Sequence, residues 1–251
     1  MPTPPAVVRR PALRRPEKPR TPLLRPARFF SEREPKFRHA LLLVAAATVL
    51  LVVAVYAIGW VLTAHVDGTV LVDNPAHPGE AVCENPPDTG DWNCDEPPEV
   101  ARNVDSIISD AVDRAVTQLF WAPLVGWLVL GTLLHLPSWF AGGDGGAGRS
   151  FAVTAWGLST MFVSLPVGLA VLALTAEPAT VTAATTPETF ERAMLNSLGA
   201  LQAYGTVTGF LTTLWTGVIW FWGLTVARDL SPGRALLVAG GVVVLLLLAG
   251  A

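Results

Sequence analysis

The chain has 251 residues, of which 51% are hydrophobic, and its formal net charge is −3. Nine Trp against two Tyr are typical of aromatic anchoring at membrane interfaces. Only two Cys are present, which excludes a disulfide-rich scaffold and a zinc cluster built on cysteines. Basic and acidic residues are strongly segregated along the chain, so the small net charge says little about binding partners.

Residues 1–38 form a basic, proline-rich segment that we expect to be a disordered cytoplasmic tail. Eleven Lys and Arg stand there against three Glu, and such a composition cannot bury enough apolar surface to fold alone. The positive-inside rule places it in the cytoplasm. Two interpretations are equally weighted: a topogenic, otherwise solvated tail, and a tail that binds anionic lipid or an acidic partner. Nucleic-acid binding is disfavoured because no binding motif accompanies the charge.

Residues 39–64 are predicted to be the first transmembrane helix. The run 40–64 contains no charged side chain and would extend about 37 Å as a helix, enough to cross a bilayer core of about 30 Å. A cleaved signal peptide is disfavoured because the run is too long and about forty residues precede it.

Residues 65–117 are predicted to be an acidic external loop, irregular in its first half and ending in an amphipathic helix from about Val100. Twelve Asp and Glu stand against Arg102 and Arg114. This inversion of charge across the first span sets the orientation. The acidic loop and the scarcity of Lys suggest a halophilic source, although a GC-rich genome would also favour Arg.

Cys83 and Cys94 bracket a turn region in this loop and are predicted to form a disulfide on an oxidising face. Closing so short a loop would contribute about 2–3 kcal/mol. A metal site is the alternative, but it would need ligands beyond the nearby His65 and His77. No metal and no cofactor is therefore predicted.

The second and third spans are predicted at about 118–140 and 151–175. Pro123 should kink the start of the second span because it lacks a backbone donor. Pro166 lies near the middle of the third, where a static kink or a transporter-like broken helix would fit. The glycine-rich connector at 141–149 lacks the Gly-Lys-Ser/Thr ending of a phosphate loop and is predicted to be a helix–helix turn.

The fourth and fifth spans are predicted at about 204–226 and 235–251, which places the C-terminus outside. Thr185 and Glu188 have the spacing of a capping box, which predicts that a further amphipathic helix begins there and precedes the fourth span. The fourth span carries a stripe of small residues, which favours close helix packing within the monomer or, alternatively, homodimerisation. The stripe consists of Gly205, Gly209, Thr213 and Gly217.

The five predicted spans contain no Asp, Glu, Lys or Arg. Intramembrane ionisable residues usually mark proton relays and ion-coupled transport, so their absence argues against an active transporter. His135 is titratable at depth and is predicted to be a hydrogen-bonded interfacial residue. No catalytic constellation is present, and an enzyme is not predicted.

Three places together resemble the Yip1 family of multi-pass membrane proteins, in its prokaryotic or archaeal type. They are Arg149-Ser150-Phe151 after the glycine-rich turn, Ser164-Leu165-Pro166, and Gly223-Leu224 followed by residues 230–235. The resemblance covers about residues 124–251. We therefore predict that residues 118–251 form a Yip1-like membrane region of four helices. It implies a five-span fold and a non-enzymatic membrane organiser. Eukaryotic members are implied to bind small GTPases and each other, but this tail carries no recognisable signature for that partner.

The sequence thus predicts an all-α integral membrane bundle of about five helices in the cell membrane. Its partners would be the lipid bilayer, an unidentified membrane or cytoplasmic protein, and another copy of the chain. The favoured function is a scaffold acting through helix–helix and tail contacts. The alternatives are a passive permease or transport-complex subunit, and an external sensor that uses the acidic loop.

Overall fold

The computed structural model describes residues 19–85, 92–182, 189–192, 195 and 198–250 of the protein. They form a helical bundle with a small sheet at one end. The elements are α1 (Pro26–Glu32), α2 (Phe37–His65), β1 (Val66–Asp73), α3 (Glu80–Glu84), β2 (Glu99–Asn103), α4 (Val104–Leu119), α5 (Ala122–Phe140), α6 (Ala147–Gly157), a 3₁₀ turn (Leu158–Thr160), α7 (Met161–Thr175), β3 (Ala179–Val181), α8 (Gly199–Ala227) and α9 (Pro232–Ala249).

Five helical stretches among the described residues are long and apolar enough to cross a membrane, which confirms the predicted fold class. They are Phe37–His65, Val104–Phe140, Ala147–Thr175, Gly199–Ala227 and Pro232–Ala249. Large apolar side chains remain exposed along them, Trp60 and Leu237 among them, as suits helices surrounded by lipid. Helices satisfy their own backbone hydrogen bonds there. The hydroxyl of Thr132 likewise donates to Leu128 O, one turn back at 2.8 Å.

The sheet lies at the end of the bundle where α2 ends and α4 begins, and we refer to it as the sheet end. β1 is the central strand, antiparallel to β2 and parallel to β3. Gly68 of β1 pairs with Val181 of β3 at φ +131°, and a Cβ there would collide with the Val181 carbonyl. This position therefore requires glycine.

The expectation that the first half of the loop is irregular is wrong for β1. Val66 and Val70 of β1 are buried against Val104 and Ile108 of α4, and this packing stabilises the strand. The helix expected from about Val100 begins at Val104, because the residues before it pair with β1.

The expectation of a disordered tail as far as residue 38 is wrong for residues 26–38. Phe29 and Phe30 of α1 are only 2% and 3% exposed. The Phe29 ring contacts the Trp156 ring of α6 at a centroid distance of 4.7 Å, and Phe30 packs at Gly223 of α8. A helix of seven residues is too short to persist alone, so these tertiary contacts hold it. Residues 19–25 are described but belong to no helix or strand, and residues 1–18 lie outside the described residues.

The two prolines that were predicted to kink their helices lie at different kinds of position. Pro123 is the second residue of α5 and follows the break between α4 and α5 at Phe120 and Trp121, where its missing backbone donor is tolerated. Pro166, in contrast, lies inside α7. The third span departs from α-helix about two turns before Pro166, in the 3₁₀ turn, where the Thr160 hydroxyl donates to Gly157 O at 3.0 Å. Local hydroxyl-to-carbonyl bonds of this kind bend helices.

The capping box predicted at Thr185 and Glu188 lies outside the described residues. The following span begins earlier than expected, since α8 starts at Gly199. The last span runs from Pro232 to Ala249, and its proline occupies the first turn, where no backbone donor is needed.

Candidate functional site

The end of the bundle opposite the sheet is built around one buried arginine, and we refer to it as the arginine end. It comprises residues 33–36, the loop 141–146 between α5 and α6, and the loop 228–231 between α8 and α9. Arg228, the first residue after α8, has no exposed surface. Burial lowers the pKa of its guanidinium, the charge of Arg149 lowers it further, and Asp144 raises it.

The glycine-rich loop 141–146 wraps around the Arg228 guanidinium. Arg228 donates to the carbonyl of Gly145, and its Nη2 donates to Gly143 O at 3.2 Å. A further contact joins Nη1 to Gly146 O at 3.3 Å. In return, the Asp144 N–H donates to Arg228 O at 2.8 Å. Phosphate loops present backbone N–H groups to an anion; this loop presents carbonyls to a cation, which suits the predicted connector.

Glycine gives the loop its shape at two positions. Gly142 and Gly145 have φ of +82° and +85°, values that side chains with a Cβ rarely adopt. Arg234 of α9 also donates to Ala141 O at 2.8 Å, and Arg149 of α6 pairs with Glu34 at 3.3 Å. Three arginines thus join the segment before α2 and the ends of α5, α6, α8 and α9.

A cavity of about 250 Å³ lies between α1, residues 33–36 and the first turn of α2. The cavity is lined by two aromatic rings and by residues 33–36 and 39. The rings are those of Phe29 and Trp156, and the charged or N–H donor side chains are Arg33, Glu34, Lys36 and His39. Nothing in the sequence indicates this cavity, because it exists only once α1 folds back onto the bundle.

His135 is hydrogen-bonded, as the sequence indicated. Its Nδ1 lies 3.3 Å from the Ser150 hydroxyl, which links α5 to α6. A second link joins the same helices, since the Trp127 indole N–H donates to Phe151 O at 2.8 Å.

The small-residue stripe of α8 divides into two parts. At Gly217 a Cβ would strike Val243 of α9, so this glycine permits close packing inside the monomer. Thr213, in the adjoining turn, is half-buried. At Gly205 and Gly209 a Cβ would meet no heavy atom of the described residues within 4 Å. Both line a mostly apolar groove of about 240 Å³ between α2, α7 and α8.

Polar groups also join α7 and the 3₁₀ turn before it to α8, and the sequence gives no sign of these links. The Tyr204 hydroxyl donates to Ser164 O at 2.8 Å, and the Thr160 and Thr216 hydroxyls lie 3.3 Å apart. These residues looked like ordinary constituents of apolar runs, and only the tertiary structure pairs them.

At the sheet end the structure joins Cys83 and Cys94 as a disulfide, with Cα atoms 5.6 Å apart. His77 Nε2 lies 3.7 Å from Cys83 Sγ, whereas His65 Nδ1 donates to Val61 O. No group of three or more His, Cys, Asp or Glu suited to a metal ion occurs among the described residues. Within the described residues, His65 and His77 therefore do not lie in a cluster of the kind that the alternative metal site would need.

A sequence model of the Yip1 domain matches residues 21–251. The chain belongs to the Yip1 family. No curated protein and no solved structure matches it at a significant level. The Yip1 match begins at residue 21, well before the resemblance noted from 124 onward, and so includes α1, the first span and the acidic segment. The acidic segment therefore lies within the Yip1 domain match.

Proposed function

We propose that this Yip1-family chain is a non-enzymatic scaffold of the cell membrane that acts through helix–helix contacts and through its basic N-terminal segment. The observation that carries the proposal is the docking of α1. Buried Phe29 and Phe30 fix α1 on α6 and α8, and the Trp215 indole N–H donates to Leu23 O at 2.9 Å. The bundle thereby holds residues 23–30 of the basic segment at a defined place, and presentation of the segment to a partner requires such an anchor.

The proposed orientation puts the arginine end in the cytoplasm and the sheet end outside. Arg149, Arg228 and Arg234 lie at the same end as the basic segment, and the acidic residues of β1, β2 and α4 lie at the other. This asymmetry follows the positive-inside rule. An exterior sheet end also suits the disulfide, which persists in oxidising surroundings.

A passive permease, or a subunit of a transport complex, is the second candidate. It is favoured by a groove of about 490 Å³ along α7 and α8, where Thr160, Ser164, Thr208 and Thr212 interrupt an apolar lining. The absence of Asp, Glu, Lys and Arg from the predicted spans argues against ion-coupled transport.

Crosslinking in native membranes tests the scaffold, comparing the full chain with one lacking residues 2–18. That deletion removes the cations at 9, 10, 14, 15 and 18 but leaves α1 docked. A deletion through residue 33 would also remove Phe29 and Phe30 and thereby disturb the core.

The scaffold predicts one specific protein that is crosslinked by the full chain and lost on deletion. An identical crosslinking pattern for both chains would contradict a role for the tail. Solute flux through proteoliposomes that contain only this protein would instead support the permease.

A further inference from the structure

We propose that the cavity between α1 and α2 is a binding site for a phosphate group, that of an anionic phospholipid. Arg33, Lys36 and His39 line it, and none of these side chains has a hydrogen bond or ion pair with another described residue. Glu34 also lines the cavity, and its carboxylate is paired with Arg149 at 3.3 Å. Cationic and N–H donor groups without protein partners thus converge on one small space, which is the arrangement a phosphate requires.

The depth of the cavity matches that of a lipid headgroup. Lys36 precedes the first residue of α2, and the uncharged run of that helix begins at Ala40. The cationic wall therefore lies where the apolar stretch meets the polar interface. The aromatic rings of Phe29 and Trp156 also line the cavity and suit contact with the start of an acyl chain.

The size of the cavity also restricts the ligand. At about 250 Å³ it is smaller than most sites for drug-sized solutes, which measure about 300–1,000 Å³. A headgroup phosphate with its adjoining glycerol fits this space better than a nucleotide or a peptide does. The site is independent of the proposed scaffold function, because it requires only that the chain lie in a membrane.

Native mass spectrometry of the full chain in detergent tests the proposal, with phosphatidylglycerol and phosphatidylcholine titrated separately. The variant R33Q/K36Q removes two charges from the cavity wall. R25Q/R38Q is the matched control, because it removes the same charge from exposed positions of the same segment that do not line the cavity. Far-ultraviolet circular dichroism verifies the helix content of each variant, and the single variants K36Q and R38Q repeat the comparison at one charge.

The expected result is preferential binding of phosphatidylglycerol, weakened about 30-fold in R33Q/K36Q and little changed in R25Q/R38Q. Equal losses in the two double variants would show that diffuse charge is responsible and would overturn the site, as would no loss in either. A third titration uses inorganic phosphate alone. Saturable phosphate binding without a preference for phosphatidylglycerol would overturn the lipid assignment in favour of a soluble anion.

Discussion

Replacing the buried Arg228 by Ala should release the loop 141–146 from the bundle. In the native protein the guanidinium is donor to the carbonyls of Gly143, Gly145 and Gly146. The shortened side chain leaves all three acceptors without their donor and leaves a void beneath the loop. The neighbouring Arg234 makes one such bond, to Ala141, from an exposed position, and R234A is therefore the matched control.

The magnitude follows from the number of acceptors that lose their donor. An acceptor left without its donor costs about 1–3 kcal/mol, and the lower end applies because Gly145 and Gly146 are exposed and can bind water. Three acceptors give a loss of about 3 kcal/mol, reduced somewhat by no longer burying a charge. The net loss is then about 2–3 kcal/mol, and for a chain of this size the melting temperature should fall by about 4–12 °C. R234A should lower it by no more than a few degrees.

The assay is thermal unfolding of the purified protein in detergent, followed by tryptophan fluorescence. Limited trypsin digestion provides a local readout, since the bond after Arg149 becomes accessible when the loop detaches. If R228A and R234A had the same melting temperature and the same digestion rate at Arg149, the reasoning about the buried guanidinium would be refuted.

Three further predictions use matched changes at other positions. Gly131→Leu should destabilise the bundle by about 2 kcal/mol, because a side chain at this position strikes Phe151. Gly126→Leu in the same helix is the control, since a Cβ there meets no atom of the described residues within 4 Å. Thermal unfolding compares the two variants, and equal stability would contradict the packing at Gly131. The double variant Cys83→Ser/Cys94→Ser should lower the free energy of unfolding by up to about 2–3 kcal/mol. It should also speed proteolysis of the loop between β1 and β2, as reduction of the native protein should. Resistance to proteolysis equal to that of the oxidised native protein would argue against the disulfide. The same cysteine-free variant can carry a single new cysteine, Glu96→Cys or Ser231→Cys, both at exposed positions. A membrane-impermeant maleimide added to whole cells should label Glu96→Cys and should label Ser231→Cys only after the membrane is opened. The reverse pattern of labelling would show that the proposed topology is inverted.

The spans could be predicted because their signal is local. A run of some twenty apolar residues without charge has one stable outcome in a bilayer, and each apolar stretch satisfies its backbone without help from the others. The disulfide was also predictable, since Cys83 and Cys94 are the two cysteines of the chain and lie close together in sequence.

The sheet and α1 could not be predicted because both depend on distant partners. β1 pairs with β3, more than 100 residues away, and its sequence alone resembles any short polar-apolar loop. The burial of α1 rests on Trp156 and Gly223, whose proximity only the assembled bundle creates. Arg228 presented the same difficulty: nothing in the sequence distinguishes it from the other arginines, and only the fold shows it enclosed by a loop about 83 residues earlier.

The pairing of α1 with α6 and α8 has a consequence for biogenesis. Its partners Trp156 and Gly223 are made long after residues 26–32 have left the ribosome. Phe29 therefore lacks its ring partner Trp156 until the third span is made, and Phe30 lacks its contact at Gly223 until the fourth is made. The arginine end should be completed only when the fourth span has entered the membrane, which makes an undocked N-terminal segment the characteristic intermediate of insertion.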